Sequence, residues 1–124
     1  MRVALLITVD EDLEAPLYGD PPLDELPEGV ASRLSELATD IFDGEEARRG
    51  ATVVDEHRIA WKMTPRVGVL FLCAVTAEVE EEDLKAYLDE LTELYMDEVD
   101  DPRNPERYGL EDLLVDVIPP WEDE

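Results

Sequence analysis

At 124 residues the chain has the length of one ordinary domain, enough to withdraw about two thirds of its unfolded surface from water without disulfide or metal staples. Its 34 Asp and Glu against 10 Lys and Arg give a formal charge of −24, yet 44% of the residues are hydrophobic and fall in periodic blocks, which excludes intrinsic disorder. The single cysteine, Cys73, excludes an intramolecular disulfide, and no run approaches the ~20 apolar residues of a membrane span.

Val3 to Val9 is apolar at both alternating positions except Thr8, the pattern of a central strand covered on each side. The stretch is too short, and too soon followed by the acids Asp10 to Glu14, for a signal peptide, so a cytoplasmic location is expected. Ala15 to Gly19 reads as a short second strand, confined by Pro16 to an edge. Asp20 to Pro27, with three prolines, is a loop. From Glu28 the period becomes helical, with Val30, Leu34, Leu37, Ala38, Ile41 and Phe42 on one stripe and Gly44 as the stop. Glu45 to Gly50 is a charged loop and Ala51 to Val54 a strand. Arg58 to Met63 then alternates Ile59, Trp61 and Met63 against Arg58, Ala60 and Lys62, as a half-covered strand does.

After the turn Thr64-Pro65-Arg66, Val67 to Val79 is the most hydrophobic stretch. Val69, Phe71, Cys73 and Val75 fall on one face and Leu70, Leu72 and Ala74 on the other, so a second doubly buried strand is expected. Cys73 there reads as a small buried hydrophobe. Glu80 to Asp83 places acids in the first turn of a long amphipathic helix with the stripe Leu84, Tyr87, Leu88, Leu91, Tyr95 and Val99. A Pro-rich break at Asp101 to Pro105 precedes a last short helix carrying Leu110, Leu113, Leu114, Val117 and Ile118, closed by Pro119 and Pro120. Two doubly buried strands require helices on both faces of one sheet.

Acids lie along every helix and loop rather than on one face, which sets a nucleic-acid mimic aside in favour of a protein built for concentrated salt. At 1 M salt the screening length falls to about 3 Å and relieves the repulsion of so many like charges. Eight of the ten basic residues are arginines and only Lys62 and Lys85 are lysines, leaving few strongly hydrated ammonium groups.

Chemistry is sparse. His57, the one histidine, follows the tight turn at Asp55-Glu56 with no Ser or Cys near it to suggest a triad, and no phosphate-binding glycine loop occurs. Neither Asp10 to Glu14 nor Asp100-Asp101 matches a calcium loop, and solvated acidic faces explain such runs here. No catalytic residue, metal or cofactor is assigned. The exception is positive: Arg48, Arg49, Arg58, Lys62 and Arg66 meet only Asp55 and Glu56, five minus two giving +3 in a chain of −24. Arg58 and Lys62 share a strand face and Arg66 continues the parity. Either these side chains pair with, or snorkel over, a covering helix, or they form a docking patch for an acidic partner surface. The remaining charge argues against nucleic acid. Trp121, in the acidic tail, either folds back onto the core or anchors a partner.

The succession Arg58-Ile59-Ala60-Trp61-Lys62, a turn, Val67-Gly68-Val69-Leu70-Phe71-Leu72-Cys73-Ala74-Val75, an acidic break and Leu84-Lys85-Ala86-Tyr87-Leu88-Asp89-Glu90-Leu91 resembles longin and SNARE-like domains, which include the small subunits of clathrin adaptors and subunits of vesicle-tethering complexes. The resemblance implies an α/β (α+β) fold: a single five-stranded, mainly antiparallel sheet with one helix on one face and two on the other. The domain would span residues 1–118, with 119–124 as a short acidic tail. The related roadblock fold shares this layering but usually begins with a helix, and the short strand around Pro16 leaves it open.

The resemblance further implies a non-enzymatic adaptor or scaffold that binds a small GTPase, a second longin or roadblock subunit, or both, often in membrane trafficking and reaching the membrane through a partner. With the charge, this suggests a halophilic archaeal GTPase-associated subunit. Pairing in the family runs through the first helix or an exposed sheet edge, which places Arg33 and Glu36 near such a surface. Two other readings stand beside it: a small enzyme or ligand-binding domain using carboxylates and His57, for which a closed pocket would speak, and a homodimeric structural module.

Overall fold

The computed structural model describes residues 4–9, 17–20, 25–64 and 68–99. The chain runs β1 (Ala4–Thr8), β2 (Tyr18–Asp20), α1 (Glu28–Asp43), β3 (Arg49–Val54), β4 (His57–Met63), β5 (Leu70–Thr76) and α2 (Glu81–Glu98). The strands form one sheet in the order β2-β1-β5-β4-β3, and every neighbouring pair is antiparallel. The expected α+β class and five-stranded sheet are therefore present. The helix expected at Leu110 to Ile118 and the tail after it lie outside the described residues, as do Pro16, Pro65 and Arg66.

The alternation of β5 organises the core. Phe71, Cys73 and Val75 join Leu5 and Ile7 of β1, Ala60 of β4, and Leu84, Tyr87, Leu88, Leu91 and Tyr95 of α2 in one buried cluster. Leu70, Leu72 and Ala74 join Ala4 and Leu6 of β1, Ile59 and Trp61 of β4, and Val30, Leu34, Leu37, Ala38 and Ile41 of α1 in a second. Successive strand residues point to opposite sides, so β5 is walled by hydrocarbon on both. Burial of each Leu, Ile or Phe is worth about 1.5–3 kcal/mol, which makes these two clusters the main source of stability. The Cys73 thiol is fully buried, and desolvation holds its pKa far above the ordinary 9.0, so it stays protonated and inert.

Several element boundaries depart from the sequence expectation for physical reasons. β3 begins at Arg49 rather than Ala51, because Arg49 and Gly50 pair with Lys62 and Trp61 of β4. Gly50 is required there by close approach: a Cβ would stand 2.6 Å from Cζ2 of the Trp61 indole, which lies across the glycine and donates from Nε1 to the Ala47 carbonyl at 2.9 Å. The second strand occupies Tyr18–Asp20, where Leu6 pairs with Gly19 and Ile7 with Tyr18. β4, expected to be half covered, is covered on both sides: Ala60 is fully buried in the α2 cluster while its neighbours Ile59 and Trp61 serve α1.

α1 ends as its sequence predicts. Gly44 adopts a left-handed conformation (φ 81°), and the Gly44 and Glu45 amides donate to the carbonyls of Ile41 and Asp40 at 3.2 and 2.8 Å. Neither helix carries a basic residue in its last turn, and Asp43 adds a negative charge to the negative end of the α1 dipole. Replacement of exposed Asp43 by lysine is expected to raise stability by about 0.3–1 kcal/mol near roughly 0.1 M salt, and by nothing measurable in molar salt, where the dipole is screened. Chemical denaturation at both salt concentrations checks this; an equal gain at both would place the effect outside electrostatics.

Candidate functional site

The basic residues do not act as one free patch. In the β3–β4 pairing Arg49 lies opposite Lys62 and Val53 opposite Arg58, so all four side chains emerge on the side of the sheet that α2 covers. Arg49 donates from Nη2 to Oδ2 of Asp89 on α2 at 2.7 Å, and Lys62 donates from Nζ to Oδ1 of the same carboxylate at 3.0 Å. Arg58 donates from Nε to the Val79 carbonyl at 2.7 Å and lies beside Glu80, Glu81 and Glu82 at the start of α2. The long stems of Arg58 and Lys62 cross hydrocarbon while their charged ends reach polar partners. Arg49 and Lys62 are thus paired with the covering helix, and Arg58 with the turn that precedes it.

Arg48 points elsewhere. It is exposed, makes no side-chain bond among the described residues, and lines a shallow cleft with Phe42, Asp43, Glu46 and Met63 at the end of α1. Arg33, on α1, is half-buried and pairs with Glu36 at 3.1 Å. Arg66 and Trp121 lie outside the described residues.

Among the described residues β3 is an edge strand. The Met63 amide donates to the Arg48 carbonyl, which fixes the register of ladder bonds: Gly50, Thr52 and Val54 turn their amides and carbonyls toward β4, and Arg49, Ala51 and Val53 turn theirs outward. Val53 is 50% exposed, more than any other large hydrophobic residue among the described residues. Sequence reasoning did not single out this edge, and its only signal was β-branched Thr52, Val53 and Val54 beside the arginine pair.

A second feature gathers around His57, the first residue of β4. The β3–β4 hairpin turns on Asp55 (φ 49°) and Glu56 (φ 66°), both left-handed without being glycine. Such two-residue turns favour Asn-Gly because the left-handed region costs a side chain roughly 1–2 kcal/mol. Glu56→Gly is therefore expected to stabilise the fold by roughly 0.5–1 kcal/mol, read from the denaturation midpoint; a loss would show that the Glu56 side chain contributes more than its backbone costs. The Asp55 carboxylate lies against Gly29 in the first turn of α1, where even a methyl group would overlap it. It supplies negative charge to a helix start that has no side-chain capping bond from Pro27.

Nδ1 of His57 sits 2.8 Å from the Asp55 carbonyl oxygen. A carbonyl only accepts, so Nδ1 is the donor of this bond. The ring is half-buried rather than loosely exposed, and it lines an open cleft of about 490 Å³ with Glu25, Leu26, Val30, Ala4, Ala74 and Thr76. No group of three or more His, Cys, Asp or Glu placed to hold a metal occurs among the described residues. No helix of the described residues is long and apolar enough to cross a membrane. No protein-family model matches the chain, and comparisons with curated proteins and with solved structures find no significant match.

Proposed function

We propose that the protein is a non-enzymatic adaptor or scaffold that pairs with a second longin-type or roadblock-type subunit, and with it binds a small GTPase, in a high-salt cytoplasm. The observation that carries this reading is the edge of β3, six residues long and with no further strand beside it among the described residues, with outward backbone groups at Arg49, Ala51 and Val53 and a half-exposed Val53. Unpaired strand edges are normally blunted by charge, proline or brevity, and a long one with an exposed β-branched residue is a ready template for another strand. The order strand, strand, helix, three strands, helix, on an antiparallel sheet of five strands, agrees with what the resemblance to longin and SNARE-like domains implies. Arg48 at one end of the edge would meet an acidic group of the partner.

The test is the molar mass in molar potassium chloride of the wild type and of Val53→Lys, alone and with a small GTPase in its GDP and GTP-analogue forms. The edge is expected to support a dimer or a heteromeric complex that Val53→Lys dissolves without loss of circular dichroism. A wild type that stays monomeric and leaves GTPase nucleotide exchange and hydrolysis unchanged would defeat the proposal. Self-pairing without any effect on a GTPase would favour a homodimeric module.

A further inference from the structure

We infer that the occupant of the β3 edge is a second copy of this chain, joined antiparallel about a two-fold axis at Ala51. Self-pairing rests on the reading of β3 as a docking edge and names its partner and register. The strand is charged asymmetrically along its length: Arg48 and Arg49 stand at its start and Asp55 and Glu56 form the turn at its end, all four exposed. Antiparallel pairing lays the basic start of each copy against the acidic turn of the other, twice over, whereas a parallel arrangement sets like ends together. A chain of −24 thus carries, along one edge, a surface complementary to itself.

Backbone hydrogen bonding selects the axis. Arg49, Ala51 and Val53 turn their amides and carbonyls outward, spaced evenly about Ala51. With Ala51 on the axis, Arg49 of one copy faces Val53 of the other and Ala51 faces Ala51, so every outward group finds a partner. An axis at Gly50 sets Val53 against Ala47, whose amide already donates to the Glu46 carboxylate at 3.1 Å and whose carbonyl accepts from the Trp61 indole at 2.9 Å. An axis at Thr52 sets Arg49 against Asp55, where the left-handed backbone (φ 49°) has left the ladder. The Ala51 register also suits the side chains. On the α2 side the exposed Val53 comes beneath the methylene stem of the other copy's Arg49, while that guanidinium stays on its own Asp89. On the α1 side Arg48 stands across from Val54, next to Asp55, whose carboxylate lies on that same side against Gly29.

The experiment is disulfide trapping of the full chain in molar potassium chloride. Cα atoms of a hydrogen-bonded antiparallel pair lie about 5.5 Å apart, within the span of a disulfide. Ala51→Cys is therefore expected to give a covalent dimer under mild oxidation, Cys73 being sealed in the core. Val53→Cys, about 14 Å from its counterpart across the axis, is expected to form no disulfide alone and to form one when mixed with Arg49→Cys. Arg48→Glu and Glu56→Arg are each expected to raise the dissociation constant about threefold to thirtyfold at the lowest salt that preserves the fold, since two exposed pairs are lost together, and their equimolar mixture to recover it. A chain that is monomeric in molar salt, an Ala51→Cys variant that does not cross-link, or a mixture no tighter than its components would each overturn self-pairing about Ala51. If Val53→Lys still dissolves a dimer or a complex with a different subunit, the docking role of the β3 edge survives that failure. Cross-linking with no effect on a GTPase would uphold the pairing and defeat the GTPase role alone.

Discussion

Phe71→Ala is expected to lower the unfolding free energy by about 3–5 kcal/mol in molar salt, whereas Phe71→Leu costs a fraction of that. Phe71 is fully buried on β5, the middle strand, and its ring meets Tyr95 of α2 edge-on at 5.1 Å between centroids with an interplanar angle of 85°. Truncation removes the transfer energy of the ring, leaves a cavity at a site fixed by β1 and β4 on either side, and forfeits an aromatic contact worth about 0.5–1.5 kcal/mol. Backbone hydrogen bonds to both neighbouring strands prevent the sheet from collapsing into the space. Since domains of this size are stable by about 5–15 kcal/mol, the variant should lie close to its unfolding threshold. A loss under about 1 kcal/mol by denaturant titration would mean that the two clusters pack far more loosely than their burial indicates.

The second large effect is loss of the fold when salt is withdrawn. With a formal charge of −24, acids in the first turn of α2 and no basic residue in the last turn of either helix, like charges face one another across most of the surface. From about 1 M to about 0.01 M salt the screening length grows from about 3 Å to about 30 Å, so repulsion confined to neighbours spreads over the whole domain. The four ion pairs of the described residues have half-exposed partners, and such pairs contribute no more than about 1 kcal/mol each. Helical circular dichroism is expected to fall, and Cys73, sealed in the core, to become reactive toward a thiol reagent, over the same range of falling potassium chloride. A melting temperature that does not change between low and molar salt would sink the idea, and sucrose in place of salt separates screening from solute exclusion.

The parts of this fold that were legible in sequence are those where burial leaves a one-dimensional imprint. The run Val69 to Val75 and the stripe Val30 to Ile41 are read directly, because a doubly covered strand and a helix face permit few other patterns. β4 misled because Arg58 and Lys62 look like solvent-facing residues, while their stems lie beneath charged ends held by α2 and the turn before it. Asp89, which pairs with Lys62 and with Arg49, is remote from both in sequence, and both of its oxygens are engaged. Nothing in one dimension joins Glu25 to His57 either. The cleft exists only because the start of α1 passes the hairpin turn, and no periodicity records that passage.

The position of β5 between β1 and β4 also sets an order in time. β3, β4, β5 and α2 follow one another with short connections and can assemble from neighbours in sequence, whereas β1 has only the three-residue β2 nearby and meets β5 through pairings as distant as Leu5 with Cys73. Loop-closure entropy makes that contact late, so amides of β4 and β5 are expected to gain protection in pulsed hydrogen exchange before those of β1. Until then the apolar Ala4–Thr8 strand lacks its β5 neighbour. The acids that follow it, Asp10 to Glu14, are gatekeepers against aggregation during that interval.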